Sequence, residues 1–363
     1  MRVNNQIWKI AQKFQTAEII DIQTYGNGNI NQTFLVTLSS TESFILQRIN
    51  QQVFSQPKSV IDNMCRVVEH IQAKVTHNLL KRNWQIPNVL LTLEGENHVI
   101  DQDNSIWRGI SFINDCQCFD TVQNPQHAQE IGYALGLFHT LISDLNIDQL
   151  TDTLPGFHIT PQYLQHYYQV LAKTQVKSCP EVKYCQDFIN QRATQIDILE
   201  KAKARRELPL RPIHGDPKVN NIMINCQSGE AIAMIDLDTV KPGLIHYDIG
   251  DCLRSLANPL GEETQAWQEV EFNLSLAKAM LAGYLDVARN FLTEYDYFYL
   301  YDCIRLIAFE LGLRFLSDYL AGNIYFKTNY PEHNLQRALV QFQLAASIEA
   351  QATPIRQIIA QLK

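Results

Sequence analysis

The chain has no long apolar run. Its greasiest stretch, residues 303–316, is broken by Arg305, Glu310 and Arg314, and a membrane-spanning helix needs about 20 consecutive apolar residues. It has no surplus of positive charge either. Its 30 Lys and Arg stand against 38 Asp and Glu, a formal net charge of −8, so broad attraction to nucleic acid or anionic lipid is absent. Cysteine is sparse and scattered. Of the eight, Cys116 and Cys118 are the close pair, and no second pair or histidine cluster at zinc spacing accompanies them. The opening residues, MRVNNQIWKIAQKFQ, lack the apolar core and small-residue cleavage site of a signal peptide. Repeats and low-complexity tracts are also missing. The expectation is a reduced, cytoplasmic protein with neither a nucleic-acid nor a membrane partner.

What is present is ordinary globular material. Hydrophobic residues make up 46% and charged residues 19%, and 363 residues suffice for two domains. The first third is strand-rich. After an apolar helical face in 5–15, Ile20, Ile22 and Thr24 alternate, then Thr33, Leu35 and Thr37, with Gly26, Asn27, Gly28 and Asn29 as the turn between. Residues 44–49 read as a third strand and 57–76 as an amphipathic helix. Residues 86–93 and 97–101 read as a paired hairpin around Glu94 and Gly95, and 105–113 as another strand leading to a hinge at Asn114 and Asp115. From 125 the pattern turns helical: 125–141, 161–172, 180–203 with a basic, solvated end at 201–206, then 264–287, 294–320, 334–349 and 355–362. Strands first and helices after predict an α+β fold, not a βαβ one.

Between the helices lies the stretch that carries chemistry, residues 211–251. His214, Gly215 and Asp216 are followed by Asn221, five positions after the aspartate; an apolar strand then ends in Asp236 and Asp238, and Asp248 and Asp251 follow. Phosphoryl transfer to an alcohol needs a carboxylate to orient the hydroxyl and accept its proton, and oxygen ligands for magnesium on the phosphates. Asp216 suits the first task, and Asn221 and Asp236 the second. His214 reads as a hydrogen-bonding residue and not a base. Asp238 and Asp248 have a plain reading as caps or turn residues, and Asp251 one as a brace for the loop. On residues 294–320, Glu310, Arg314 and Asp318 stand four apart. They read equally as an ion-pair ladder contributing a few tenths of a kcal/mol per pair, or as charges lining a pocket.

The set H-G-D-x₄-N, I-D-x-D and D-x-G-D resembles the aminoglycoside phosphotransferase/choline kinase superfamily of protein-kinase-like small-molecule kinases, over roughly 18–345. The resemblance implies a two-lobed protein-kinase-like fold, with a small antiparallel β-rich lobe (1–113) and a large, mainly helical lobe (114–363), and ATP and Mg²⁺ as cofactors. It implies Asp216 as catalytic base and Asn221 and Asp236 as magnesium ligands. Gly26, Asn27 and Gly28 fall in the phosphate loop, and Phe112 and Ile113 in the adenine-contacting hinge. The strand-3 lysine of protein kinases is missing. Gln47 or Arg48 is left to meet the α/β-phosphates, with Arg48 carried as the candidate, and Glu69 is the helix acid that would pair with it. The phrases YGNGNINQTF, HGDPKVNNIM, IDLDTVKPGLIHYDIGD and ELGLRFLSDYLAGNIYFK are most similar to N-acetylhexosamine 1-kinases. This implies a small-molecule sugar substrate held by Arg314 and Tyr325, with Asn29 where that group has a histidine. Choline, homoserine or an aminoglycoside is the alternative acceptor, and a non-catalytic nucleotide-binding module the alternative class.

Overall fold

The computed structural model describes residues 5–26, 30–76, 82–176 and 179–363. Helix α1 (Asn5–Ala11) leads into β1 (Ile19–Thr24), β2 (Gln32–Leu38) and β3 (Ser43–Arg48). After α2 (Pro57–Thr76) come β4 (Val89–Leu90), β5 (Val99–Ile100) and β6 (Ile106–Ser111). These strands form one antiparallel sheet in the order β1-β2-β3-β6-β4, with β5 also on β6. Side chains alternate across it. Phe34, Phe44, Leu46 and Trp107 pack with Ile10 and Phe14 on the outer face. Ile45 turns the other way, towards Met64 and Val68 of α2.

The expected hairpin of 86–93 with 97–101 does not form. Both segments pair with β6, Val89 opposite Ile110 and Val99 opposite Trp107. The free edge of β6 is long enough to take two short strands end to end. After Leu90 the alternation puts the leucines outward, Leu91 and Leu93 exposed and Thr92 buried.

The second part begins with β7 (Cys116–Gln117), which pairs with β9 and so already belongs to a different sheet. Helices α3 (Pro125–Ile142), α4 (Thr160–Leu171), α5 (Pro180–Arg192) and α6 (Ile198–Ala204) precede β8 (Arg211–Ile213), β9 (Ile222–Asn225), β10 (Ala231–Met234) and β11 (Lys241–Gly243). Then follow α7 (Ile245–Leu256), α8 (Leu274–Ala288), α9 (Glu294–Phe298), α10 (Leu300–Leu320), α11 (His333–Ala350) and α12 (Ala352–Leu362). Two small sheets, β10-β9-β7 and β11-β8, sit among these helices. Helices α3 and α8 cross closely: a Cβ on Gly132 would lie 1.9 Å from the Met280 carbonyl oxygen, so only glycine fits.

Three expected helices are broken. The 180–203 stretch is interrupted by a 3₁₀ turn, Ala193–Gln195. The 264–287 stretch starts its helix only at Leu274, where the Asn273 side chain accepts from the Leu276 N–H, a cap contributing about 1 kcal/mol. The 294–320 stretch divides at Tyr299, with Thr293 and Asp296 forming a reciprocal cap on the first piece. Helix α7 was not expected. Its acids obscure a regular buried face of Ile245, Ile249, Cys252, Leu253 and Leu256. No helix among the described residues is long and apolar enough to cross a membrane.

Candidate active site

Strand β8 runs into the loop 214–221, and helix α7 holds that loop from below. Asp248, fully buried, accepts from the backbone N–H groups of His214 (2.7 Å) and Gly215 (2.9 Å) and from His139 Nε2 (2.9 Å). The brace is therefore Asp248, not Asp251, whose carboxylate pairs with Arg254. Gly215 has φ +88°, and a Cβ there would lie 2.6 Å from the Thr239 carbonyl oxygen. His214 is fully buried. Its Nε2 donates to the Ile235 carbonyl (2.9 Å) and its Nδ1 accepts from the Asp216 N–H (3.3 Å). Burial lowers its pKa, so it stays neutral and serves as a brace. From the other side His158 Nε2 meets the Gly215 carbonyl (3.0 Å) while its Nδ1 meets Glu310 (2.9 Å).

Held this way, the loop presents Asp216. Lys218 Nζ lies 2.8 Å from Asp216 Oδ2, and Asn221 Nδ2 donates to the Asp216 carbonyl (2.8 Å) and to Oδ2 (3.3 Å). Burial alone would raise the Asp216 pKa; the Lys218 ammonium outweighs it, and the net shift is downward. Lys218 shifts upward, chiefly through Asp216. The sequence reading missed Lys218, although a cation two residues after the aspartate of such a loop was a visible signal.

Strand β10 aims Asp236 into the same cleft. The Ile235 N–H donates to the Asn221 carbonyl (2.9 Å), and Asp236 itself takes a left-handed backbone, φ 63°. Such a conformation costs a non-glycine residue on the order of 1 kcal/mol or more and clusters at functional sites. The Asp236 side chain is open to solvent within the cleft and makes no hydrogen bond or ion pair with another described residue. Although its side chain reaches solvent, the surrounding protein strips water from the carboxylate, and this, then the Asp238 carboxylate, push its pKa up to about 6.

Asp238 is buried and engaged. It pairs with Arg108 of β6, which is 1% exposed, and accepts from Asn31 Nδ2 (2.6 Å). Removing one partner of a buried ion pair of this kind costs about 3–5 kcal/mol. Arg108 Nε and Nη2 also donate to Gln47 Oε1 (3.1 and 2.7 Å). Gln47 thus faces the cleft. Arg48 points to the outer face, bonded to Ser105 Oγ (2.5 Å) and 6.0 Å from the Trp107 ring centre. Glu69 on α2 is exposed. The geometry brings neither Arg48 nor Glu69 to the cleft; it brings Arg108, which the sequence reading missed.

Near the hinge, Phe112 meets Tyr25 edge-on at 5.9 Å, and Ile113 is buried against Ile232, Ala233, Met223 and Ile235. Phe112 and Ile113 thus bring apolar side chains together at the hinge. Gly26 closes β1 with φ +74°. Asn27, Gly28 and Asn29 lie outside the described residues.

The expected ladder along α10 does not form. Glu310 is taken by His158 and by Thr160 Oγ1 (2.7 Å). Asp318 accepts from the backbone N–H groups of Ile324, Tyr325 and Phe326. Arg314 is left among aromatic rings, 5.2 Å from Phe157 and Tyr163 and 5.5 Å from Phe326, without an acidic partner among the described residues. Tyr325 is 52% exposed beside it. Phe157 adjoins His158, so the Arg314 pocket and the Asp216 loop share a wall.

The family described as APH, phosphotransferase enzyme family, matches residues 21–288. Among solved structures, the chain is similar to an aminoglycoside phosphotransferase from Alicyclobacillus acidocaldarius, at 17% identity over 98% of this chain and 96% of that one, with TM-score 0.66. It is similar to an amicoumacin kinase solved with AMP-PNP and Ca²⁺, at 13% identity over 96% and 93%, TM-score 0.61. A choline kinase from Cryptosporidium parvum matches at 15% identity over 93% and 91%, TM-score 0.59. At these identities the likeness shows the fold, which is the two-lobed, protein-kinase-like α+β arrangement.

Proposed function

Because the chain belongs to the phosphotransferase enzyme family, we propose that it transfers the γ-phosphoryl group of MgATP to a sugar hydroxyl, and that the hydroxyl is the anomeric one of an N-acetylhexosamine. The observation that carries the reaction is the Asp216, Lys218 and Asn221 cluster facing the otherwise unpartnered carboxylate of Asp236. Asp216 orients the acceptor hydroxyl and takes its proton. Its lowered pKa keeps it ionised, which suits a loose transition state in which the proton moves late. Lys218 holds that carboxylate and offsets charge on the group in transfer.

Asn221 spends its amide nitrogen on Asp216, so its amide oxygen and the Asp236 carboxylate are the atoms that would hold magnesium. Asp216 and Asp236 face one cleft, and desolvation, then the neighbouring Asp238 carboxylate, raise the Asp236 pKa. No group of three or more His, Cys, Asp or Glu side chains among the described residues could hold a metal ion. Magnesium commonly takes one or two protein ligands and completes its shell with phosphates and water. A bound magnesium ion would neutralise charge on the β- and γ-phosphates. The apolar side chains of Tyr25, Phe112 and Ile113 suit adenine, and Gly26 at the end of β1 leads towards the phosphates. ATP as donor and eight free cysteines fit a reducing, cytoplasmic setting.

The acceptor reading rests on Arg314. A guanidinium engaged in no ion pair among the described residues disfavours a cationic amino alcohol and donates to carbonyl and hydroxyl oxygens such as those of an N-acetyl sugar. An ADP-release screen over N-acetylhexosamines, neutral hexoses, choline and aminoglycosides tests it. Turnover is expected with N-acetylglucosamine or N-acetylgalactosamine and none with their 1-O-methyl glycosides. Preference for choline or an aminoglycoside would move the acceptor to the cationic class.

A further inference from the structure

The cleft face of β3 carries an uncharged residue, Gln47, at the place where a cation is expected. The cation sits one strand over. Arg108 is directly opposite Gln47 in the β3–β6 pairing, and Gln47 in turn donates to Thr33 Oγ1 of β2 (3.1 Å). With Met64 Sδ of α2 at 3.6 Å, the guanidinium is enclosed on all sides and meets Asp238 through Nη2. The second Asp238 oxygen accepts from Asn31 Nδ2 (2.6 Å), and Asn31 Oδ1 accepts from the Asn50 N–H (3.0 Å). Asp238 stands two residues after Asp236, on the short 3₁₀ turn Leu237–Thr239 that starts at that left-handed residue. One carboxylate therefore joins three pieces of chain: the hinge strand β6, Asn31 at the entry to β2, and the loop bearing Asp236.

We propose that Arg108 is a positioning residue for the nucleotide cleft. Through Asp238 it fixes the direction in which Asp236 faces, and through the same carboxylate and Asn31 it ties the entry to β2 to that loop. The alignment comes from β6 and not from a strand-3 cation touching phosphate. Arg108 is too enclosed to touch a ligand itself, so its effect passes through Asp238. The inference rests on the MgATP reading given above.

The experiment compares Arg108→Lys, Arg108→Gln, the double variant Arg108→Gln/Asp238→Asn, and Asn31→Ala. Calorimetry measures binding of a non-hydrolysable ATP analogue with and without Mg²⁺, beside the melting temperature and the separate KM values for MgATP and acceptor. Metal-free binding of the analogue is expected to change little. The gain in affinity on adding Mg²⁺ is expected to shrink roughly tenfold or more in Arg108→Gln, as for loss of a residue that orients a metal ligand, with partial rescue in Arg108→Lys. KM for MgATP rises while KM for the acceptor holds. Asn31→Ala, which leaves the buried pair intact, shows the same loss of metal-dependent gain at an unchanged melting temperature, and it keeps the test open if the Arg108 variants do not fold. A lowered melting temperature with the metal-dependent gain unchanged, or an unaffected Asn31→Ala, would overturn the positioning role and leave the MgATP reading standing. A wild-type protein that binds no ATP analogue would overturn both.

Discussion

Lys218 Nζ lies 2.8 Å from Asp216 Oδ2, on a loop whose backbone is fixed from below by Asp248. The ammonium holds the Asp216 carboxyl below its usual range against the opposing effect of burial. Replacing Lys218 by Met removes that hold. The acid limb of the kcat–pH profile is then expected to move to higher pH, with kcat reduced about 10²-fold as for a lost transition-state cation. An acid limb that stays in place would detach Lys218 from Asp216 in function.

Asp236 makes no bond to a described protein group and is pushed upward in pKa by enclosure and by Asp238. A carboxylate free of partners among the described residues is available to a cation. In Asp236→Ala, affinity for the ATP analogue is expected to lose its dependence on Mg²⁺ while metal-free binding persists. Calorimetry at several metal concentrations checks it; an unchanged Mg²⁺ dependence would remove Asp236 from the metal site.

Arg314 lies between Phe157, Tyr163 and Phe326 and forms no ion pair among the described residues. Arg314→Gln is expected to raise the acceptor KM by roughly tenfold or more, the size of one hydrogen bond to a charged donor, with KM for MgATP unchanged. Equal effects on both substrates would indicate a folding defect, and none on the acceptor would move the pocket elsewhere.

His158 joins Glu310 of α10 to the Gly215 carbonyl. Burial alone would lower its pKa, but the Glu310 carboxylate outweighs this and raises it above 6.5. A histidine raised on folding contributes stability that is fully present below its unfolded pKa and is lost as pH rises through its folded one. Denaturant midpoints are therefore expected to fall from about pH 6.5 upward, with a shallower fall in His158→Gln. A midpoint that rises over that range in the wild type, and flattens in the variant, would contradict the sign.

The acids of 211–251 were legible because phosphoryl transfer demands them at short spacing on one loop and one strand end. The strand-then-helix order was legible for the same local reason. Arg108 was not: it sits in SIWRGISFI, a strand buried on both faces, and its meaning depends on a register that sets it opposite Gln47 and on a partner far along the chain. Asp248 read as a cap because its partners, the N–H groups of His214 and Gly215, are backbone atoms from another element. The salt-bridge ladder on α10 was misjudged because Glu310 and Asp318 each found partners outside the helix, His158 and the 324–326 backbone. Local period and spacing specify elements; competition for partners is settled only by packing.

The most direct test is ³¹P NMR of the purified protein with MgATP and N-acetylglucosamine or N-acetylgalactosamine, run beside Asp216→Asn. The expected result is loss of the γ-phosphate signal with growth of a sugar 1-phosphate resonance in the wild type, and no sugar phosphate in Asp216→Asn although that variant still binds the ATP analogue. Phosphorylation at undiminished rate in Asp216→Asn, or no phosphorylated sugar from the wild type with any hexosamine, would contradict it.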